Sequence, residues 1–316
     1  RDEKLYPSLA EMTAKAIEKL SKNENGFFLM VEGSKVDWAA HANDPIAMIT
    51  DMLAFDEAFG VAVDFAKKNG ETVVIAVPDH GNSGISIGAE RCPNYSTLSQ
   101  DSLFKPVSQF KITTESLVAI LKNTESSEIK NVVKEYTNIE LTDEELAKIL
   151  SSKDYKKSAL TAEERMKGTS VKKTLTEALN SRTCFGFTSG GHTGEEVFLA
   201  VYAPENSFRP EGFITNIELN KYMSNILQIG NLKEHTADYF AKHTEVFDGL
   251  KWKINAENKD FPVLEVEKDK KNKLTVNPWS NIALHNGKEI RLNSVVVYVD
   301  KTNTFYLPKS LREIFK

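Results

Sequence analysis

Residues 27–77 open on Phe27-Phe28-Leu29-Met30-Val31, pass Asp44-Pro45, and close on Thr72-Val73-Val74-Ile75-Ala76-Val77. An uninterrupted apolar run of about five residues after Gly26 is the pattern of a strand buried on both faces. Asp44 followed by Pro45 reads as an N-cap and first helical residue, because an aspartate accepts from the free amides of the first turn and proline has none to lose. Ile46, Ile49, Leu53, Ala58, Val61 and Phe65 continue the helix to about Lys68, and Asn69-Gly70 ends it. The β-branched run 72–77 is again a buried strand, so 27–77 reads as strand, helix, strand: a βαβ unit of a doubly wound α/β sheet.

Upstream, Ser8 and Glu11 form a capping box before Leu9, Met12, Ile17 and Leu20, which predicts a helix from Ser8 to about Lys22. Downstream, about 103–180 turns helical, with capping boxes at Thr142/Glu145 and Thr161/Glu164, and reads as an inserted helical layer. Strand-like 184–187 and 197–203 return to the sheet, and Thr215 with Glu218 caps a helix to about Gln228. After a helical connector at 233–243, residues 245–316 alternate in polarity between turn signals at Asn277-Pro278, Asn286-Gly287 and 300–303. Asn286-Gly287 between two strand-like runs predicts a type I′ hairpin. The expected organisation is therefore an α/β domain over 1–232, with the helical insertion inside it, and a small β-rich module over 245–316.

At 316 residues, 41% hydrophobic and 27% charged, the chain has ordinary globular composition. Its 40 Lys+Arg against 45 Asp+Glu give a net charge of −5 with no basic stripe, which argues against nucleic acid as a partner. No apolar run approaches the roughly 20 residues of a transmembrane helix. The chain opens at Arg1 with no charged-then-apolar leader, so this end gives no compartment. Cys92 and Cys184 are too far apart for a CxxC motif and are expected as two half-buried thiols.

Three segments place metal-ligand residue types after strands or at glycine-rich turns. The first is VEGSKVDWAAHANDP (31–45), with Glu32 directly after the first strand. The second is the Asp79-His80 pair after the 72–77 strand. The third is SGGHTGEE (189–196), which carries His192 between glycines. Ligands in open α/β sheets bind beyond the carboxyl ends of strands, so Glu32, Asp79 and His80 would share one edge. Asp37 and His41 stand four apart, on one face of a helical turn, and an Asp/His set suits zinc. His235, His243 and His285 lack such surroundings and are expected to be structural.

These three motifs, in this order and approximate spacing, resemble the alkaline phosphatase family over residues 1–230, the C-terminal part of its catalytic domain. The resemblance implies that Asp37, His41 and His192 hold one zinc, Asp79 and His80 a second zinc, and Glu32 a magnesium. It implies hydrolysis of phosphomonoesters through a serine nucleophile activated in a two-zinc site. Trp38 follows the first zinc-site aspartate, where some relatives carry a basic or imidazole side chain. An indole supplies no such charge, which predicts weaker retention of product phosphate. Gly81-Asn82-Ser83-Gly84 departs from the family's commoner continuation after the Asp-His pair.

The resemblance also implies a nucleophilic serine, a further metal-binding aspartate, a magnesium-binding threonine and a phosphate-binding arginine upstream of the first motif. Only 31 residues precede Glu32, and they are taken up by the capped helix and first strand. Ser34, Ser83 and Ser189 lack the strand-to-helix setting, so the nucleophile and the arginine are expected outside this chain. The chain alone is then expected to be inactive and to need the upstream half of the domain. An open parallel sheet edge makes a homodimer plausible. The alternatives are a phosphodiesterase or phosphomutase on the same scaffold, and a non-catalytic metal-binding fragment. The tail 281–311 resembles β-modules appended to bacterial cell-envelope enzymes, including those likened to copper amine oxidase N-terminal domains; no copper site follows. With the family's extracytoplasmic habit, this points to a secreted, periplasmic or envelope-associated protein.

Overall fold

A computed structural model describes residues 6–92, 94–155 and 169–316. The chain divides into two units, Arg1–Arg209 and Pro210–Lys316, each with its own apolar core. The expected capping box at Thr161/Glu164 lies outside the described residues.

In the first unit, helix α1 (Leu9–Leu20) starts at Ser8, whose hydroxyl accepts from the Glu11 amide while the Glu11 carboxylate accepts from the Ser8 amide. Helix α2 is Ser34–His41, and helix α3 is Pro45–Asn69, ended by Gly70 at φ +76°. The strand expected at 27–31 is not formed. These residues carry no regular secondary structure and pair in no ladder among the described residues, and Phe28 and Met30 are 64% and 76% exposed. Apolar continuity signals an intention to be buried, but a strand exists only where a neighbour accepts its hydrogen bonds. The expected βαβ unit is thereby corrected as well. Strand β1 (Val74–Ala76) pairs antiparallel with β6 (Ala200–Tyr202), bringing in the second of the two returning strands.

Four further short strands carry the loops that follow: β2 (Gly81–Asn82) pairs antiparallel with β5 (His192–Thr193), and β3 (Ile85–Ile87) with β4 (Phe185–Phe187). Between them lies the helical layer expected from the sequence, with helices Gln100–Ser108, Thr114–Leu121, Ile129–Thr137, Asp143–Leu150 and Val171–Asn180. Leu117, Leu121, Ile129, Val133, Ile149, Val171 and Leu175 are fully buried at its centre. Cys92 and Cys184 are not the two thiols expected. They form a disulfide with Cα atoms 5.3 Å apart, tying the two ends of this layer across 92 residues. In the chain-entropy picture a loop of that size is worth roughly 4–5 kcal/mol.

Asp44 is 1% exposed and joins the layer to the rest of the unit. One carboxylate oxygen accepts from the Ala47 amide as the α3 cap, and the other accepts from the Thr114 amide 70 residues away. Burial pushes its pKa up, against the lowering effect of those two amides.

In the second unit, helix Asn216–Ile226 starts at the capping box Thr215/Glu218, followed by helix Leu232–Tyr239. The β-rich part has a five-stranded antiparallel sheet in the order β12 (Lys288–Arg291), β11 (Ile282–His285), β10 (Asn272–Val276), β9 (Val263–Asp269), β8 (Lys251–Asn255). A second sheet has the order β13 (Val297–Val299), β14 (Thr304–Leu307), β7 (Ala241–Lys242). Asn286 and Gly287, at φ +52° and +79°, make the β11–β12 turn as expected for Asn-Gly. Phe247, Leu264, Val276, Ala283, Phe305 and Leu307 fill the core.

His243 is structural, as expected, and 1% exposed. Its Nδ1 accepts from the Phe305 amide at 3.2 Å, its ring meets Trp252 edge-on at 4.5 Å, and its Nε2 has no hydrogen-bond partner among the described residues. Burial pushes its pKa down, so folding favours the neutral ring.

Two outcomes follow from these buried groups. Asp44→Ala strands two buried amides and should lower stability by about 2–4 kcal/mol, with Asp44→Asn in between; equal melting temperatures for all three would refute the bridging role. For His243 the unfolded chain binds the proton more tightly. The stabilisation is therefore complete above the ordinary histidine pKa of about 6.5 and is lost as pH falls below it. Scanning calorimetry between pH 8 and 5 should show a slope that His243→Gln flattens, and an unchanged slope would count against this.

Candidate metal centre

Helix α2 brings the first two candidate ligands together. Its start lies close against α3: a Cβ on Gly33 would sit 2.9 Å from Phe55 Cδ2, so a side chain there would force the ring aside. The four-residue spacing then places Asp37 and His41 on one face, with Asp37 Oδ2 3.5 Å from His41 Nε2. Trp38, on the same helix, is 65% exposed.

The third ligand arrives through the short ladder between β2 and β5. Asn82 stands opposite His192 and Gly81 opposite Thr193. The ladder is extended by the Ser83 amide donating to the Gly191 carbonyl at 2.9 Å, and by the Thr188 and Ser189 amides donating to the Ser83 carbonyl. A Cβ on Gly81 would meet the Glu195 carboxylate and the Thr193 hydroxyl, so a side chain there would have to displace those two groups. That hydroxyl donates to Glu195 at 2.8 Å and holds its carboxyl below the usual range.

Asp37, His41 and His192 offer ligand atoms that all lie within 4.8 Å of one another. Tetrahedral zinc with bonds of about 2.0–2.2 Å asks for somewhat shorter separations, so small side-chain rotations would close the group. One carboxylate and two imidazoles are a zinc-type donor set. Two contacts prepare it. His41 Nδ1 lies 2.7 Å from the Gly190 carbonyl; a carbonyl only accepts, so Nδ1 donates there, and in the neutral ring Nε2 is the nitrogen that keeps a lone pair for a metal. Asn82 Nδ2 donates to Asp37 Oδ1 at 2.6 Å, fixing the carboxylate, while Asn82 Oδ1 is buried without a partner among the described residues.

His80 stacks on His192 with ring centroids 3.5 Å apart, and its Nδ1 lies 3.0 Å from the Gly81 carbonyl. Asp79 Oδ2 is 3.3 Å from His80 Nε2, on a side chain that is 87% exposed. The Asp79-His80 pair thus adjoins the three-residue group. Glu32 stands exposed just before Gly33 and makes no hydrogen bond or ion pair among the described residues. Sequence reasoning missed the roles of Asn82 and the Gly190 carbonyl. The departure at 81–84 was the one available signal, and only the ladder register shows that it aims an amide at Asp37.

The sequence profile of the alkaline phosphatase family matches residues 1–229. Alkaline phosphatase 4 of Bacillus subtilis is 37% identical over 231 residues, covering 73% of this chain and 45% of that protein. The repressible alkaline phosphatase of Saccharomyces cerevisiae is 33% identical over 270 residues, covering 78% and 46%. Among solved structures, a cold-active alkaline phosphatase from Shewanella sp. superposes with a TM-score of 0.50 at 26% identity, covering 65% of this chain and 46% of that one. The Thermus thermophilus alkaline phosphatase gives 0.59 at 24% identity, covering 71% and 48%, a likeness of fold. The chain spans a little under half the length of these relatives. By family match and by identity over more than two thirds of its length, the chain belongs to the alkaline phosphatase family.

Proposed function

We propose that the protein is a metal-dependent phosphomonoester hydrolase. In this reading Asp37, His41 and His192 hold one zinc, Asp79 and His80 hold a second, and Glu32 holds a magnesium. The observation that carries it is the convergence of three ligand atoms from separated segments within 4.8 Å, with His41 Nδ1 turned to the Gly190 carbonyl. Bound metal ions would supply Lewis-acid stabilisation of the attacking and leaving oxygens of an in-line phosphoryl displacement. The chain's own part is to hold that set in place: Asn82 orients Asp37, the Gly190 carbonyl orients His41, and the β2–β5 ladder sets the position of His192.

Residues 1–232 would be the C-terminal part of the catalytic domain and 245–316 an appended module. The serine nucleophile and phosphate-binding arginine would lie on the upstream half of the same domain, which becomes the chain's obligate partner. A homodimer is consistent with the exposed apolar side chains of Phe28 and Met30. The exposed indole of Trp38 offers no cationic or hydrogen-bonding reach to product phosphate beyond one N–H, which favours its release. The Cys92–Cys184 disulfide supports work in an oxidising compartment, secreted, periplasmic or at the envelope. Among the described residues no helix is long and apolar enough to cross a membrane.

Asn82→Ala should weaken zinc binding about 10–100-fold, measured by competition with a chromophoric chelator; an unchanged affinity would remove the orienting role. The chain alone, supplied with Zn²⁺ and Mg²⁺, should bind zinc yet turn over p-nitrophenyl phosphate negligibly. Robust turnover by the 316-residue chain would show that the nucleophile lies within it.

A further inference from the structure

Trp279 stands apart from the other residues with left-handed backbone. Among the described residues, nine that are not glycine have positive φ. Six are asparagine, which tolerates that region, two are Ser83 and Gln228, and the last is Trp279 at φ +61°. A bulky side chain there is strained and persists only where its surroundings over-determine it. Here they do. The Trp279 amide donates to the Val296 carbonyl at 2.9 Å, and the Val296 amide donates to the Ser280 carbonyl at 2.9 Å, with Val296 fully buried. Yet the strained backbone directs the indole outward, and the residue remains 56% exposed. Core packing explains the anchor and leaves the aromatic ring itself without a structural task.

The ring borders a cleft of about 390 Å³ at the open end of the β11–β12 hairpin, away from the Asn286–Gly287 turn. That volume lies in the range of roughly 300–1,000 Å³ found for small-ligand sites. Ser280, Asn281, Leu292, Asn293, Ser294 and Val295 line it beside Trp279, and none of the lining residues is charged. The serine hydroxyls are engaged locally, Ser280 with Ile282 and Ser294 with the Val295 carbonyl. The side-chain amides of Asn281 and Asn293 make no hydrogen bond among the described residues. The site therefore offers a flat aromatic face, two free carboxamides that both donate and accept, and no charge.

We propose that this cleft binds a neutral glycan, one pyranose ring stacking its C–H face on the Trp279 indole while its hydroxyls pair with Asn281 and Asn293. A pyranose has the two surfaces this site presents: a polarised C–H face that suits the negative face of an indole, and a rim of hydroxyls suited to carboxamides. A phosphorylated or acidic ligand would find no cation among the lining residues. An acyl chain would find only Leu292 and Val295 beside the indole, with four polar side chains making up the rest of the lining. The proposal is independent of the phosphatase reading, because every residue it uses lies beyond the matched 1–229.

The test uses the full 316-residue chain with cellotetraose, chitotetraose and maltotetraose as probes in isothermal titration, and insoluble cellulose and chitin in sedimentation. Binding of at least one glycan is expected. Trp279→Asn keeps the left-handed backbone while removing the stacking face, and should weaken that binding at least tenfold without lowering the melting temperature. Trp279→Tyr should restore part of it, and Asn293→Ala should weaken it several-fold. Phe213→Ala, a change at an exposed aromatic side chain outside both the cleft and the metal centre, should leave it intact. No binding to any of the five probes would overturn the proposal, as would equal binding by wild type and Trp279→Asn. Preferential capture of a proline-rich peptide by the same cleft would also overturn it, since that would assign the indole to peptide recognition.

Discussion

A ladder of two residues on each side, Gly81–Asn82 against His192–Thr193, is the constraint on which the candidate centre depends. Its register sets Asn82 across from His192 and so decides two things at once. The amide of Asn82 reaches Asp37, and the imidazole of His192 comes level with His80 and within 3.9 Å of the same Asp37. Because strand side chains alternate faces, a slip of one residue would turn both away. So short a ladder is weak by itself. The Ser83 and Gly191 backbone contacts, the adjoining β3–β4 pair and the disulfide just beyond it hold the register from one end. Helix α2 presents the remaining ligands independently, through its fit against Phe55 of α3.

What the sequence revealed was what is local. Capping boxes at Ser8, Thr142 and Thr215, the Asp44-Pro45 start of α3, the Asp37/His41 spacing and the Asn286-Gly287 turn all depend on residues a few positions apart, and each is present in the structure. What it concealed was partnership. The run at 27–31 has the apolarity of a buried strand, but no residue in the run names its neighbour. Among the described residues that neighbour is absent, and Phe28 and Met30 lie open. Residues 74–76 do form a strand, yet its antiparallel pairing with 200–202 links positions more than a hundred residues apart. The same holds for Cys92 and Cys184, whose spacing carries no motif, and for Asn82, whose contact with Asp37 spans 45 residues.

The two units organise polar groups in contrasting ways. Around the candidate centre, titratable side chains are left partly exposed and are oriented by neutral donors and acceptors such as the Asn82 amide and the Gly190 carbonyl. This leaves lone pairs available to a cation. In the C-terminal unit, His243 is enclosed by Trp252 and Phe305 and bound by a single backbone amide, an arrangement that suits a neutral ring and offers nothing to a metal. Burial and the identity of the neighbours, more than residue type, separate the histidines that can ligate from those that pack.

The Cys92–Cys184 bond encloses the helical layer but neither of the two loops that make up the β2–β5 ladder, which lie just outside it on either side. A protease cutting once anywhere between these cysteines would therefore divide the polypeptide without releasing either piece. Such a nicked molecule would migrate as one species on a non-reducing gel and as two after reduction. The loops bearing His80 and His192 would stay covalently tethered through the cut.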